Sequence, residues 1–185
     1  ELTDIQALQK TVQAAKQEGR IDILINNAGY DRPGTTAKIS SDDFLDVLGI
    51  HLVVPFVLIQ LLLPDMRTAG WGRVVNVSSI YALTGAKAEV AYSTAKAGVI
   101  GLTKSVAREA GPDGVTVNAI LPGLTRTPTI EKFMADKYKQ PIVDQTPLGR
   151  MGEPEEIARV VAFLASDEAS FITATTVPVS GGWGI

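Results

Sequence analysis

The 185-residue chain has no cysteine. That excludes disulfides, thiolate nucleophiles and cysteine-ligated metals, and it fits a reducing compartment. Histidine is almost absent too. His51 is the only one, too few for a histidine cluster, and no metal site is expected. Neither sign of charge dominates, since 17 Lys and Arg against 20 Asp and Glu leave −3. Such a balance gives no electrostatic footprint for nucleic acid or an anionic membrane, and neither is expected as a partner. Aromatic residues are scarce at 6%, and Trp71 and Trp183 read as packing or interface residues. No basic n-region or cleavage pattern stands at Glu1-Leu2-Thr3-Asp4, so no signal peptide is read and a cytoplasmic location is expected. One uncharged run of 18 residues, Val47 to Pro64, approaches membrane-spanning length. His51, Gln60, a mid-run Pro55 and the missing basic flank favour a buried or interface helix instead.

What is present is enough apolar sequence, 45%, for one well-buried domain. Ile5, Leu8, Val12 and Ala15 predict a helix over 3–18, stopped by Gly19. Residues 21–25 are short, apolar and β-branched, a buried strand running into the turn Asn26-Asn27-Ala28-Gly29. After a polar loop over 30–40, Ser41 is expected to cap a long helix reaching about Met66. Further strands are expected at 73–78, 115–120 and 175–179, and helices at 89–110 and 153–166, the last with acids at its positive end. Strands alternating with helices, and apolar on both faces, predict a parallel sheet covered on both sides. No repeat, linker or low-complexity segment divides the chain.

The sharpest constellation is Tyr92-Ser93-Thr94-Ala95-Lys96, with Ser79 thirteen residues before the tyrosine. Tyr92 and Lys96 stand at i and i+4, on one helix face. Ser79 sits at the C-terminal end of a strand, where open α/β sheets place their ligands. A phenol titrates near pH 10 in water, and a nearby ammonium lowers that value towards useful acid–base work. A serine hydroxyl beside it could hold an alcohol or carbonyl oxygen. Alone, the pair could equally be a tyrosine and a lysine on the solvated face of an Ala-rich helix.

Four ordered motifs decide between these. Asn26-Asn27-Ala28-Gly29, Ser79, Tyr92-x-x-x-Lys96 and Pro122-Gly123 each follow or flank a predicted strand or helix at matching spacing. Over essentially its whole length the chain resembles the classical short-chain dehydrogenase/reductase family, and most of all its 3-oxoacyl-acyl-carrier-protein reductase branch. The resemblance implies a Rossmann-like doubly wound parallel α/β sheet with helices on both faces, lacking the first βαβαβ portion. It implies an NAD(P)-dependent oxidoreductase interconverting a carbonyl and a secondary alcohol. Tyr92 would be the general acid/base, Lys96 would lower its pKa and bind the nicotinamide ribose, and Ser79 would position the substrate oxygen. Asn27, Ala28 and Gly29 would line the cofactor. Pro122, Gly123, Thr125 and Thr127 would meet its carboxamide edge, and Leu2 its adenine. Residues 128–148, irregular in sequence, would form the substrate lid. A homodimer or homotetramer is expected from the family and from the two long apolar helices.

Two departures stand out. His51 occupies the place of the family's catalytic Asn, whose main-chain carbonyl serves a proton relay. Pro55 has no N–H, so the carbonyl four residues earlier, that of His51, loses its helical donor. His51 is expected to keep the relay role through its backbone and to add a titrating side chain. The second departure is the family's glycine-rich phosphate cradle, which this sequence does not contain. About two βαβ steps, roughly 60 residues, are expected to precede Glu1 in a longer natural protein. The first strand would then lie on an exposed sheet edge. The residue that reads the ribose 2′ position belongs to that part, so NAD and NADP are not distinguished. The rival reading, a catalytically silent scaffold with the same fold, draws on these same two departures. A serine hydrolase is excluded by the missing Gly-x-Ser-x-Gly elbow and the mid-helix position of the only histidine.

Overall fold

The computed structural model describes residues 2–185. Helix α1 (Ile5–Glu18) starts where the Asp4 carboxylate accepts from the Ala7 N–H at 3.0 Å. Strand β1 (Ile23–Asn26) follows. The long apolar segment is three pieces in line: α2 (Ser41–Leu48), a π-helical turn (Gly49–Val53) and α3 (Val54–Ala69). Then come β2 (Gly72–Val77), a short α4 (Tyr81–Thr84), α5 (Val90–Ala110) and β3 (Val115–Pro122). Helices α6 (Pro128–Phe133), α7 (Asp136–Asp144) and α8 (Pro154–Leu164) lead to β4 (Thr176–Val179).

The four strands pair in parallel in the order β1-β2-β3-β4. Alternate residues on each strand face opposite sides, and the two cores show it. Leu24, Val74, Val115 and Val117 meet Val12, Ile59, Leu62, Met66 and Val106 from α1, α3 and α5 on one face. Val75 and Ile120 meet Leu164 and Ala169 from α8 and the turn after it on the other. Helices therefore cover both faces, as a doubly wound sheet requires. The uncharged 47–64 run is a core helix here. Val54, Val57, Ile59 and Leu62 are buried within the domain.

Several expectations need correction. Strand β1 is buried on one face only, with Ile23 and Ile25 exposed at 43% and 46%. Leu24 points to the α3 side, while α8 reaches β2 and β3 but not the edge strand. The cap of α2 is Ser40, whose side chain accepts from the Asp43 N–H at 3.0 Å, and Ser41 is already helical. The region expected to be an irregular lid holds two helices, α6 and α7. Thr127 caps the first, and α7 runs through Pro141.

The turn before β3 depends on a glycine. Gly114 has φ +78°, and a Cβ there would strike the Gly70 carbonyl oxygen. Gly101, inside α5, has open space around its Cβ position. Gly114→Ala is expected to lower stability by about 2 kcal/mol or more. Gly101→Ala should raise it by about 0.5–1 kcal/mol. Urea unfolding midpoints of the two variants check both signs.

Candidate active site

The residues singled out in sequence converge where β2 ends. Ser79 lies just beyond that end and is 8% exposed. Tyr92 and Lys96 lie one turn apart on α5, facing it. Helix α5 is fastened there by two bonds: the Lys96 ammonium donates to the Val77 carbonyl at 2.7 Å, and Ser78 Oγ donates to the Lys96 carbonyl at 2.7 Å. Burial leaves Lys96 4% exposed and lowers its pKa to about 8.

Tyr92 differs from the expectation. Burial pushes its hydroxyl up to about 12; the Ser79 side-chain hydrogen bond lowers it, and Asp31, Glu89 and Tyr81 raise it further. The Lys96 ammonium sits over the tyrosine ring, 5.4 Å from its centroid, with its bond directed to the Val77 carbonyl. In this arrangement Lys96 does not lower the tyrosine pKa. Tyr92 is held as a neutral phenol.

His51 is 5% exposed and packs edge-on against Tyr92, ring centroids 5.2 Å apart at 89°. Its Nε2 lies 2.8 Å from the Tyr30 carbonyl. A carbonyl only accepts, so Nε2 carries the proton and Nδ1 is a bare acceptor. Nδ1 is buried without a partner. The same ring fills the space above Gly29, where any Cβ would collide with it. Burial, with Lys96 second, lowers the His51 pKa to about 4. The side chain expected to titrate is therefore neutral from pH 5 to 8.

The backbone at His51 does depart from the α-helix. The Val54 N–H donates to Gly49 O, one residue further back than in an α-helix. Pro55 then offers no N–H, so in α register neither the Ile50 nor the His51 carbonyl has a donor. Single π-turns of this kind recur at functional sites.

The cofactor candidates divide. Asn27, Ala28 and Gly29 present exposed backbone at the C-terminal end of β1. Gly123 packs against the Ser180 backbone, leaving no room for a Cβ, and its N–H donates to the Val179 carbonyl at 3.1 Å. Pro122 ends β3 and accepts from the Ile80 N–H. The hydroxyls of Thr125 and Thr127 are already engaged, the first on the Gly123 carbonyl and the second as the α6 cap. Leu2 is 42% exposed, and Glu1 lies outside the described residues. Exposed residues in the turn at the C-terminal end of a parallel strand suit the binding of a dinucleotide.

Sequence reasoning missed Asp31 and Glu89. Both act electrostatically on Tyr92. Glu89 had a signal, standing three residues before Tyr92 at the N-cap of α5. The pairing of Asp31 with it, 58 positions away, left none.

The sequence model of the family described as enoyl-(acyl carrier protein) reductase matches residues 1–184, and the chain belongs to this family of short-chain dehydrogenases/reductases. It is 44% identical over 164 residues to acetoacetyl-CoA reductase of Rhizobium meliloti, covering 89% of this chain and 68% of that protein. It superposes on the crystal structure of 3-oxoacyl-[acyl-carrier protein] reductase from Brucella melitensis with a TM-score of 0.94 at 32% identity, covering 100% of this chain and 70% of that one. Against NAD+-bound xylitol dehydrogenase the TM-score is 0.90 at 32% identity, covering 98% of this chain and 76% of that one. All three carry the names of enzymes, and the silent-scaffold reading gains no support from them.

The depressed His51 pKa has a consequence for stability. The unfolded chain binds a proton near pH 6.5 and the folded one only near 4. Stability is thus intact above about pH 6.5 and falls as the pH drops through that window to about 4. His51→Asn should flatten this part of the profile by up to about 3 kcal/mol. Urea unfolding of both proteins between pH 7 and 4 measures the difference.

Proposed function

We propose that the chain is the catalytic part of an NAD(P)-dependent oxidoreductase that interconverts a carbonyl and a secondary alcohol. The observation that carries this reading is the convergence of Ser79, Tyr92 and Lys96 at the end of β2. The nicotinamide, when bound, supplies or accepts the hydride. Lys96 and the Asn27–Gly29 backbone would hold its ribose side, and Pro122 and Gly123 would border the ring.

In reduction, Ser79 and Tyr92 hold the substrate oxygen, and Tyr92 gives it a proton as the carbonyl carbon gains hydride. A phenol held near 12 is a weak acid towards water but a competent donor to a forming alkoxide, whose own proton affinity is higher still. In oxidation the same groups run backwards, and the alcohol proton returns to Tyr92. Burial around the three groups excludes water from the transfer. The names of the relatives favour a 3-oxoacyl thioester as substrate. The NAD+-bound neighbour acting on xylitol keeps a polyol as the second reading. Helices α6 and α7 would close over the substrate. Exposed Val53 and Phe56 on the long helix, and Phe171 before β4, favour a homodimer or homotetramer.

Tyr92→Phe removes the proton donor and little else. In the full-length protein it should lower kcat by about 10²–10⁴-fold with KM changed only a few-fold. Oxidation of NADH or NADPH, followed by absorbance with acetoacetyl-CoA as substrate, provides the assay. A Tyr92→Phe variant turning over at the parental rate would rule the reading out.

A further inference from the structure

Two aromatic rings outside that mechanism meet beside Ser79. Tyr81 follows the serine by two residues at the start of α4, and its N–H donates to Ser79 Oγ at 3.2 Å. Helix α4 in turn packs against α5, which carries Tyr92. The Tyr81 ring stands edge-on to that of Trp183, centroids 5.6 Å apart at 76°. Both residues are half-buried, so the pair keeps apolar surface uncovered.

The backbone that carries Trp183 is held on three sides. Towards the end of β3, Ser180 Oγ donates to the Trp183 carbonyl at 2.8 Å, and the Ser180 backbone abuts Gly123. Towards α4, a Cβ on Gly184 would meet Ile80 Cγ1 at 2.7 Å. Towards the segment returning from α7, the Leu148 N–H donates to the Gly181 carbonyl at 3.2 Å. Pro147, in the same segment, fills the space that a Cβ on Gly182 would need. Trp183 therefore stands between the chain returning from α6 and α7 and the turn that carries Ser79. Its backbone retreats from an incoming group only by breaking one of these contacts.

We infer that Tyr81 and Trp183 form an aromatic wall of the substrate site, which limits the apolar substituent on the reacting carbonyl to a short chain. This rests on the carbonyl–alcohol reading above and narrows its substrate. A carbonyl oxygen held by Ser79 and Tyr92 brings the carbon that bears it, with its substituents, close to the turn that carries Tyr81. The two rings offer flat apolar surface there, and an edge-to-face pair keeps its geometry better than two flexible aliphatic chains. A methyl group is covered by such a wall, whereas a longer chain has to displace the indole. One methylene fitted or refused by an apolar pocket changes kcat/KM by about tenfold or more.

The test compares ethyl 3-oxobutanoate with ethyl 3-oxooctanoate, which share the ester and differ in the length of the acyl chain, as kcat/KM in the full-length protein with its cofactor. The wild type should prefer the shorter ester by about tenfold or more. Trp183→Ala should raise the long-to-short ratio by about tenfold or more, and Tyr81→Ala should move it in the same direction. Trp183→Phe, which keeps a smaller ring, should move it less. An unchanged ratio in Trp183→Ala, even with activity on both esters reduced, makes the indole a packing residue and overturns the wall. So does a wild type that takes the longer ester as readily as the shorter one. If circular dichroism shows that Trp183→Ala does not fold, Trp183→Phe decides, and an unchanged ratio there overturns the wall. These outcomes leave the carbonyl–alcohol reading intact. No turnover of ester, thioester or alcohol by the wild type with either NAD or NADP overturns that reading, and the wall with it.

Discussion

The site exists because α5 is bonded, not merely packed, to the end of the sheet. Most of that interface is apolar, and apolar surfaces tolerate sliding by a fraction of a turn. A buried polar seam removes the freedom. Asn26 Nδ2 donates to Asn76 Oδ1 at 2.7 Å, Asn76 Nδ2 to Thr103 Oγ1 at 2.9 Å, and Thr103 Oγ1 to the Val99 carbonyl at 2.8 Å. Breaking any of these strands a buried polar atom, at a cost of about 1–3 kcal/mol. The seam thus ties β1, β2 and α5 in one register. The reciprocal bonds of Lys96 and Ser78 extend it to the end of β2. Ser79 and Tyr92 face each other as a consequence.

His51 extends the same logic to the turn after β1. Its ring occupies the volume that Gly29 leaves open, grips the Tyr30 carbonyl and abuts Tyr92. One side chain therefore stands between Gly29 and Tyr92. The place of the ring depends on the π-turn, which rotates the helix around Gly49–Val53, and Pro55 supports that turn by withholding a donor. In this reading a histidine serves by shape and a single hydrogen bond, and its proton affinity is a casualty of the burial.

How much of this was legible follows from the range of each interaction. Strands β2 and β3 were legible as short β-branched, mostly apolar runs, despite Arg73 and Asn76 in one and Thr116 and Asn118 in the other, and Tyr92 and Lys96 share a helix face by local geometry alone. The loss of an α-register donor near His51 was readable from Pro55, because it is a four-residue effect. The alternation in β1 was not, since Ile23 and Ile25 are exposed only because α8 stops at β2. Helices α6 and α7 were hidden by polar, weakly periodic sequence, and Ser40 by a neighbouring serine of equal capping propensity. The Asp31–Glu89 contact depends on a backbone bridge between a loop and a distant helix start. No local pattern encodes it.

Burial shapes the chemistry in opposite senses at neighbouring groups. It raises Tyr92 and Glu89 and lowers Lys96 and His51, in each case because desolvation penalises the charged form. A dry cleft therefore drives all four towards neutrality. Whatever charge persists there acts at low effective dielectric and reaches further than it would at the surface. Glu89 is pushed up to about 8, by burial first and by Asp31 second.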